Sequence, residues 1–413
     1  MHWALSKRKK EITLQIAIIT ITVVMIVLRT LLNEKGRVNP DSIRFMRTAH
    51  LLPAVDNTTT PMGYPLSIKL FTYFGLDEFW SSKILALLCY LFMLLFAWKK
   101  KFYFRETVAS GALFSFVSIF SYTMSEPLIL PIVQLFLYVA RRTILETYTK
   151  SAGVLYLSLS LIALQNIRYS ALFFIGACVV FGIWQFRKSY GKIFLLSGAI
   201  GIVFVVLYKL TFIDYFNETY VDRFLEIGLH PTSKLLVELL QGLSTSLNPF
   251  VHIANPGGGI INIAIYAIGG LNIILMAILF IRNRLSQTEE FFVFVAAFGI
   301  VCSFFIQYFY SVTPLDYRLL APFLLPLWLV YFKKLFSIAS VWTYVLPVLS
   351  LATGLTFTVL SRGNYLENRR QAAEFLKQNG LSDKPIIYYV NDVESSELRT
   401  AELLSTVNPN LSI

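Results

Sequence analysis

Long apolar runs separated by short polar breaks extend from the start of the chain almost to its end. A helix needs about 20 apolar residues to cross a hydrocarbon core of about 30 Å. The pattern therefore predicts an all-α, polytopic integral membrane protein with about 11 transmembrane helices. Some runs are short, and flanking residues or snorkelling side chains must complete those crossings. The predicted spans are 12–32, 83–98, 107–124, 128–140, 152–165, 169–186, 193–212, 260–281, 291–310, 319–332 and 338–360.

Three long polar segments interrupt or follow this pattern, at 33–82, 213–259 and 361–413. Segments of this length usually carry function or fold on the membrane surface. We therefore divide the chain into a transmembrane domain, 1–360, with two long loops, and a short tail, 361–413. Periodicity and capping residues predict further elements within these segments. They are an amphipathic helix at 42–52, an apolar helix at 64–74, a helix at 232–243 capped by Thr232, a tail helix at 365–379 ended by Gly380, and a strand at 386–390.

The charge distribution orients the predicted helices. Charged residues make up 15% of the chain, against about 25% in soluble proteins. Lys and Arg nevertheless outnumber Asp and Glu by 36 to 24. If every run crosses the membrane, the basic clusters all fall on one side, which the positive-inside rule identifies as the cytoplasm. The N-terminus is then inside, the C-terminus and both long loops are outside, and no nucleic-acid partner is needed to explain the charge. These clusters are 7–10, 99–101, 141–142, 187–188, 282–284 and 333–334.

The first candidate for chemistry is Asp41, in the sequence Asn39-Pro40-Asp41-Ser42 just after the first span. A carboxylate at the outer surface can act as general base and take the proton of an incoming hydroxyl. The alternative is structural, because Asp is also a common cap of a helix that begins near Ser42. The sequence alone leaves both open.

The second candidate is Glu126, in Ser125-Glu126-Pro127 at the outer turn between the third and fourth predicted spans. A carboxylate at a tight membrane hairpin is costly unless it is paired or hydrated. It is therefore either part of a polar site or a turn residue at the depth of the lipid headgroups.

Two arginines, Arg168 and Arg318, fall on the outer side, against the positive-inside trend. Arginine binds phosphate through bidentate, charge-assisted hydrogen bonds. An outward pair at membrane depth is suited to a lipid-linked phosphate or pyrophosphate. For Arg318 the alternatives are a salt bridge to Asp316 or simple snorkelling.

The remaining signals are weak. Two triplets, 57–59 and 217–219, match the glycosylation sequon, which also occurs by chance. His50, His230 and His252 all map to the outer side but are widely spaced. We therefore predict no metal site and no cofactor.

These motifs in this order resemble the GT-C superfamily of glycosyltransferases, which take a sugar from a polyprenyl-phosphate carrier. Members of the dolichyl-phosphate-mannose and undecaprenyl-linked aminoarabinose transferase types look similar. The resemblance extends from the first to the tenth predicted span, although each motif is short. The matching segments are Pro40-Asp41-Ser42, Pro61-Met62-Gly63-Tyr64-Pro65-Leu66, Ser125-Glu126, Arg168-Tyr169 and Tyr317-Arg318-Leu319-Leu320-Ala321-Pro322.

The resemblance implies inverting transfer, with the first-loop Asp41 as general base on the acceptor hydroxyl. It implies that Arg318, with Arg168 as a second candidate, binds the carrier phosphate, and that Glu126 is the other catalytic residue and organises the site. Many members carry a second acid in the first loop, and the tail of this chain is far shorter than the soluble domain of many members. The further substrate-binding residues implied are Arg44, Tyr64, Tyr169 and Tyr317, and the candidates for a second acid are Asp56, Asp77 and Glu78.

The predicted function is glycosyl transfer on the extracytoplasmic side of a multi-pass cell-membrane protein. The predicted partners are a polyprenyl-phosphate-linked sugar donor, membrane lipid, and a glycan, lipid or protein acceptor. One alternative is a polysaccharide polymerase or ligase that uses a pyrophosphate-linked chain. The other is a flippase or transporter without chemistry, although the internal symmetry typical of transporters is absent from the sequence.

Overall fold

The computed structural model describes residues 2–33, 36–56, 60–217, 233–251, 259–310, 315–391 and 396–413, without the side chains of 2–9, 233–235 and 310. The chain is 79% helical. The helices are α1 His2–Leu32, α2 Pro40–Leu51, α3 Gly63–Thr72, α4 Glu78–Lys100, α5 Phe104–Gly111, α6 Phe114–Ile119, α7 Glu126–Ile144, α8 Lys150–Ile167, α9 Leu172–Trp184, α10 Ser189–Tyr208, α11 Asp214–Phe216, α12 Ser233–Ser246, α13 Ile260–Arg282, α14 Gln287–Tyr310, α15 Tyr317–Ala339, α16 Val345–Leu360, α17 Tyr365–Gln378 and α18 Ser396–Ser405. Short 3-10 turns precede α9 and α16, a π-helical turn follows α10, and the strands are β1 Ile386–Ile387 and β2 Leu411–Ser412.

Within the described residues, seven helical stretches are long and apolar enough to cross a membrane. A shorter apolar helix, Tyr169–Trp184, lies among them. The protein is therefore a multi-pass, all-α membrane protein, as the hydropathy pattern predicted. The count of eleven crossings and the orientation stay predictions. The seven stretches are Lys10–Leu32, Glu78–Lys100, Glu126–Ile144, Ser189–Phe216, Ile260–Arg282, Gln287–Phe309 and Tyr317–Leu360.

The prediction of one continuous helix over 107–124 is wrong. The segment forms two short buried helices, α5 and α6, with a break at Ala112 and Leu113. At this break the backbone N–H of Phe114 donates to Ser350 Oγ, 2.8 Å away on α16. A tertiary hydrogen bond replaces the one that a continuous helix would supply, so hydropathy alone does not reveal the break.

Residues of three basic clusters, 141–142, 282–284 and 333–334, lie together at one end of the helical bundle. Lys334 Nζ donates to the carbonyl of Arg284 at 3.0 Å, and the Lys333 ammonium lies 5.2 Å from the ring centre of Tyr103. Arg141 faces the same ring at 5.9 Å. We call this the basic end. Because α7 and α15 reach it with their C-terminal ends, Glu126 and Arg318 lie at the opposite end, which we call the site end.

The first loop forms the predicted helices at the site end. α2 begins after the N-cap Asn39, whose backbone N–H donates to Ser42 Oγ at 2.9 Å. The proposal that Asp41 caps this helix is therefore wrong, because Asp41 already lies in its first turn. The predicted apolar helix is α3, which packs on α2 and α4.

The tail folds onto this loop as a small unit. Its helix α17 is followed by Gly380, which has a φ of +64°, a conformation that glycine tolerates at helix ends. The predicted strand is shorter than expected, with only Ile386–Ile387 paired in parallel to Leu411–Ser412. The helix predicted at 232–243 is present as α12, while its proposed cap, Thr232, lies outside the described residues.

Candidate anion-binding site

Glu126 is the centre of the site end, where it begins α7 with its side chain fully buried. Arg168 Nη1 lies 2.8 Å from Glu126 Oε1, and Arg318 Nε lies 3.4 Å from the same oxygen. Its other oxygen, Oε2, accepts no hydrogen bond from the described residues. Of the two interpretations of Glu126, the structure therefore supports a residue of a polar site, because Glu126 lies in the first turn of α7 and contacts two arginines. The structure brings together Glu126, Arg168 and Arg318, which are far apart in the sequence.

Arg318 is held by neighbours on two sides. Asp316 Oδ2 lies 3.9 Å from Arg318 Nε, so the salt bridge considered from the sequence exists beside the shorter contact with Glu126. Asp316 also caps α15 by accepting from the backbone N–H groups of Arg318 and Leu319. With its side-chain amide oriented to fit its surroundings, Asn39 Oδ1 accepts from Arg318 Nη1 at 2.6 Å. Burial raises the pKa of Asp316 above its usual value, although the Arg318 charge opposes that shift.

A second arginine, Arg37, reaches the site from the turn after α1. Its φ is +54°, an uncommon conformation for a residue other than glycine. Its carbonyl accepts from the Thr123 N–H at 3.0 Å, and its Nη1 donates to the Tyr122 hydroxyl at 3.3 Å. The guanidinium of Arg318 lies 5.9 Å from the ring centre of Tyr122. Tyr122 therefore separates two cations and contacts both.

Lys83, in the second turn of α4, is buried at the same end of the molecule. Its ammonium donates to the carbonyl oxygens of Gly36 at 3.0 Å and Ser121 at 2.8 Å. No carboxylate in the described part of the chain lies within ion-pair distance of Lys83. The ammonium also lies 4.9 Å from the ring centre of Phe79. An ammonium has three donors, and two of them are used by the carbonyl oxygens, so one remains for a further acceptor.

The buried charges at this end do not balance. Five largely buried cations, Arg29, Arg37, Lys83, Arg168 and Arg318, lie at this end among the described residues. They face three carboxylates, Glu78, Glu126 and Asp316, of which Glu78 is already paired with His50. We call Arg37, Lys83, Arg168 and Arg318 the cation cluster. Unpaired buried charge is strongly unfavourable. A site built in this way is chemically suited to an anion, which would supply the missing negative charge.

An apolar cavity of about 530 Å³ opens beside Arg168. Apart from Arg168 and a few other polar groups, its walls are largely aliphatic and aromatic, and they come from α8, α9, α10, α14 and α15. Tyr169 and Lys209 also line it. The site therefore has a cationic part and an adjoining apolar part, with Arg168 at their junction.

The other residues implied by the resemblance occupy different positions. The Asp41 side chain is half-exposed and lies 3.6 Å from Arg44, one turn along α2. It sits two residues after Asn39, which contacts Arg318. Tyr64 is fully buried against Phe45, with ring centres 5.0 Å apart. The Tyr64 side chain is therefore not exposed to a substrate. It packs against α2 through Phe45.

The tyrosine that precedes Arg318, Tyr317, is also buried. It begins α15 beside the cation cluster, whereas Tyr169 faces the apolar cavity. The structure therefore gives the two tyrosines different surroundings, although the motif resemblance assigned both to substrate binding.

The three first-loop acids considered as a second catalytic acid are all paired. Asp56 accepts from Arg47 Nε at 2.7 Å, Asp77 caps α4, and Glu78 lies 2.9 Å from His50. Within the described residues, no group of three or more potential metal ligands is present. His230 and His252 lie outside those residues, as do Asn57-Thr58-Thr59 and the end of the second sequon.

Lys83 and Arg37 were missed by the sequence analysis. Lys83 was treated as the boundary of the second span, although it falls on the same side as Arg168 and Arg318. The rule that identified those arginines, a cation against the positive-inside trend, would have identified Lys83 too. Nothing in the sequence distinguishes Arg37, because its role depends on the turn that carries it.

No family model matches the chain, and no curated protein matches it either. Among solved structures, the chain is similar to ArnT from Cupriavidus metallidurans bound to undecaprenyl phosphate, with 12% sequence identity and a TM-score of 0.57 over 95% of this chain and 85% of ArnT. The apo state of ArnT aligns with a TM-score of 0.47 and 12% identity over 96% of this chain and 85% of ArnT. ArnT is a GT-C family aminoarabinose transferase. The GT-C-like fold that the short motifs predicted is therefore confirmed at the level of the fold.

Proposed function

We propose that this protein is a glycosyltransferase that moves a sugar from a polyprenyl-phosphate carrier to an acceptor hydroxyl. The proposal depends on the position of Arg168. This arginine belongs to the group of largely buried cations and also lines the apolar cavity. A phosphate linked to a long hydrocarbon chain matches both parts. The fold supports this reading, because ArnT was solved with undecaprenyl phosphate bound.

The cations have a role in the bond-breaking step. The acceptor oxygen attacks the anomeric carbon, the bond from that carbon to the phosphate oxygen breaks, and the carrier phosphate leaves with both electrons. Negative charge develops on the leaving phosphate, and preorganised cations stabilise such charge in a site that excludes water. Arg318, Arg168 and the free donor of Lys83 are the groups proposed for this role. Glu126 keeps the two guanidinium groups in place.

Asp41 is the proposed general base. Its half-exposed carboxylate lies on α2, close in sequence to the Asn39 contact with Arg318, while Arg44 orients it. It takes the acceptor proton as the hydroxyl oxygen attacks, and the configuration at the anomeric carbon inverts. Because three basic clusters lie at the opposite end, the positive-inside rule supports an extracytoplasmic site.

Ligand binding tests the carrier without knowledge of the sugar. The protein in lipid nanodiscs is titrated with undecaprenyl phosphate and, as a matched ligand, undecaprenol, which lacks the phosphate. We expect the phosphate to strengthen binding at least about tenfold, as one or more charge-assisted hydrogen bonds provide. Equal affinity for the two lipids contradicts the proposal.

A transfer assay tests the chemistry. With lipid-linked sugar donors and candidate acceptors, we expect Asp41→Asn to lower turnover by about 100-fold or more, the usual contribution of a general base. The affinity for undecaprenyl phosphate should not change. Asp383→Asn, at an exposed tail position, is the control and should retain full turnover. Full turnover in Asp41→Asn removes Asp41 as the base, and a ladder of products in place of single addition indicates a polymerase.

A further inference from the structure

The short tail contacts the segments on either side of Arg37, namely the end of α1 and helix α2. At its start, the Gly363 N–H donates to the Leu32 carbonyl at 2.9 Å, and Arg362 forms an antiparallel bridge with Asn33. At its end, the Asn410 carbonyl accepts from Arg47 Nη1 at 2.6 Å. The tail is thus hydrogen-bonded to the end of α1 and to the middle of α2.

The most direct contact is between Tyr365 and Gly36. The Tyr365 ring lies so close over Gly36 that a Cβ atom at this position would overlap it. Gly36 has a φ of +60°, so two independent constraints require glycine here. Tyr365 is buried in a cluster with Val38, Met46 and Phe79.

The Gly36 carbonyl also accepts a hydrogen bond from the buried Lys83 ammonium. This oxygen is one of the two acceptors of Lys83, and the next residue is Arg37. A second tail contact reaches the same helix as Lys83, because Arg369 bonds to Asp77, the cap of α4, and to the Thr406 carbonyl. The tail therefore fixes the backbone of Gly36 from one side and the start of α4 from the other.

We infer that the tail is a built-in part of the anion site, with Tyr365 as a positioning residue that acts through the Gly36 carbonyl on Lys83. This inference rests on the proposed function in one respect, that the anion is the carrier phosphate. Removal of the ring frees the Gly36–Arg37 turn, the Lys83 ammonium loses a fixed acceptor, and its remaining donor no longer points consistently at the ligand. Preorganised donors bind more tightly because less order is lost on binding.

A double-mutant cycle on undecaprenyl phosphate affinity tests this route. We expect Tyr365→Ala to weaken binding about tenfold, the size of one charge-assisted hydrogen bond, and Tyr365→Phe to bind like the wild type. The affinity for undecaprenol should stay unchanged in both variants. In a Lys83→Met background, Tyr365→Ala should cost nothing further, because residues that act as a unit are not additive.

Two controls separate positioning from stability. Phe375→Ala removes an exposed ring from the same helix and should leave the affinity unchanged. If Tyr365→Ala does not fold, Tyr365→Leu keeps an apolar side chain in the cluster and takes its place. Equal losses for undecaprenyl phosphate and undecaprenol, or additive effects with Lys83→Met, overturn the inference. Failure of the wild type to prefer the phosphate would instead reject the proposed function.

Discussion

The two ends of the bundle each hold a buried carboxylate between two cations, and their difference separates a structural ion pair from a binding site. At the basic end, Glu289 Oε1 meets Lys333 at 2.5 Å, while Oε2 accepts from Lys334 at 2.9 Å and from the Ser286 N–H at 2.8 Å. Both oxygens are satisfied. At the site end, Glu126 has one oxygen near both arginines, and the other accepts no hydrogen bond from the part of the chain that the structure describes.

The cations differ in the same way. Lys333 is nearly half-exposed, so solvent and lipid headgroups can neutralise its charge. Lys334 is buried, but it is held by Glu289 Oε2 and by the Arg284 carbonyl. Arg168 and Arg318 are both mostly buried, and the further cations Arg37 and Lys83 have no carboxylate partner among the described residues. The Glu289 carboxylate and its two lysines are thus paired without a ligand, whereas the site end keeps cations that have no carboxylate partner among the described residues. Four predictions test this contrast.

Removal of the two carboxylates should have unequal effects on stability. Glu126→Ala leaves Arg168 without a carboxylate partner and Arg318 with only the longer contact to Asp316, and we expect a loss of about 3–5 kcal/mol in the free energy of unfolding. Glu289→Ala should lose less, about 2 kcal/mol, because Lys333 can turn to solvent and the buried Lys334 keeps the Arg284 carbonyl as an acceptor. SDS-induced unfolding in mixed micelles measures both. Equal losses at the two ends contradict the contrast.

Removal of one cation at each end should show which end binds the ligand. Arg318→Gln should weaken the binding of undecaprenyl phosphate by about 2–3 kcal/mol, the usual value for a hydrogen bond to a charged group. Arg318→Lys should recover only part of the loss, because lysine lacks the planar fork of donors. Lys333→Gln, the matched variant at the basic end, should bind like the wild type. A similar loss in Lys333→Gln would remove the distinction between the ends.

Lys83→Met should change binding and stability in opposite directions. The variant removes one donor to the phosphate, so affinity should fall about tenfold. Replacement of a buried charge by an apolar side chain of similar size is often neutral or stabilising, so the apparent Tm should not fall. Parallel titration and thermal unfolding give both quantities. A lower Tm with unchanged affinity would make Lys83 a structural residue.

The smallest expected effect concerns the apolar part of the site. Val205→Trp places a large side chain in the cavity beside Arg168, and we expect affinity for undecaprenyl phosphate to fall about fivefold through lost apolar contact. Binding of farnesyl phosphate, with its shorter chain, should change less. Val203→Trp, at an exposed position on the same helix, is the control. Equal losses for both lipids indicate that the cavity does not hold the carrier chain.

The fold class and the division into ends could be predicted from the sequence. Long apolar runs require helices in lipid, since every backbone polar group must be satisfied internally, and clustered Lys and Arg between the runs mark one end. The break between α5 and α6 could not be predicted, because it depends on the Ser350 hydroxyl of a distant helix. The N-cap of α2 is Asn39 and not Asp41, which the sequence offered as a candidate cap, because both residue types cap helices equally well.

The sequence by itself determined that Glu126, Arg168 and Arg318 needed an explanation, because charge within or beside an apolar run is costly. Only the tertiary structure decided that they share one site, that Lys83 and Arg37 join them, and that Tyr64 is buried beneath them. The physical reason is that pairing and burial depend on which helices pack together. Hydropathy specifies that a helix forms, but not which neighbour meets each of its faces.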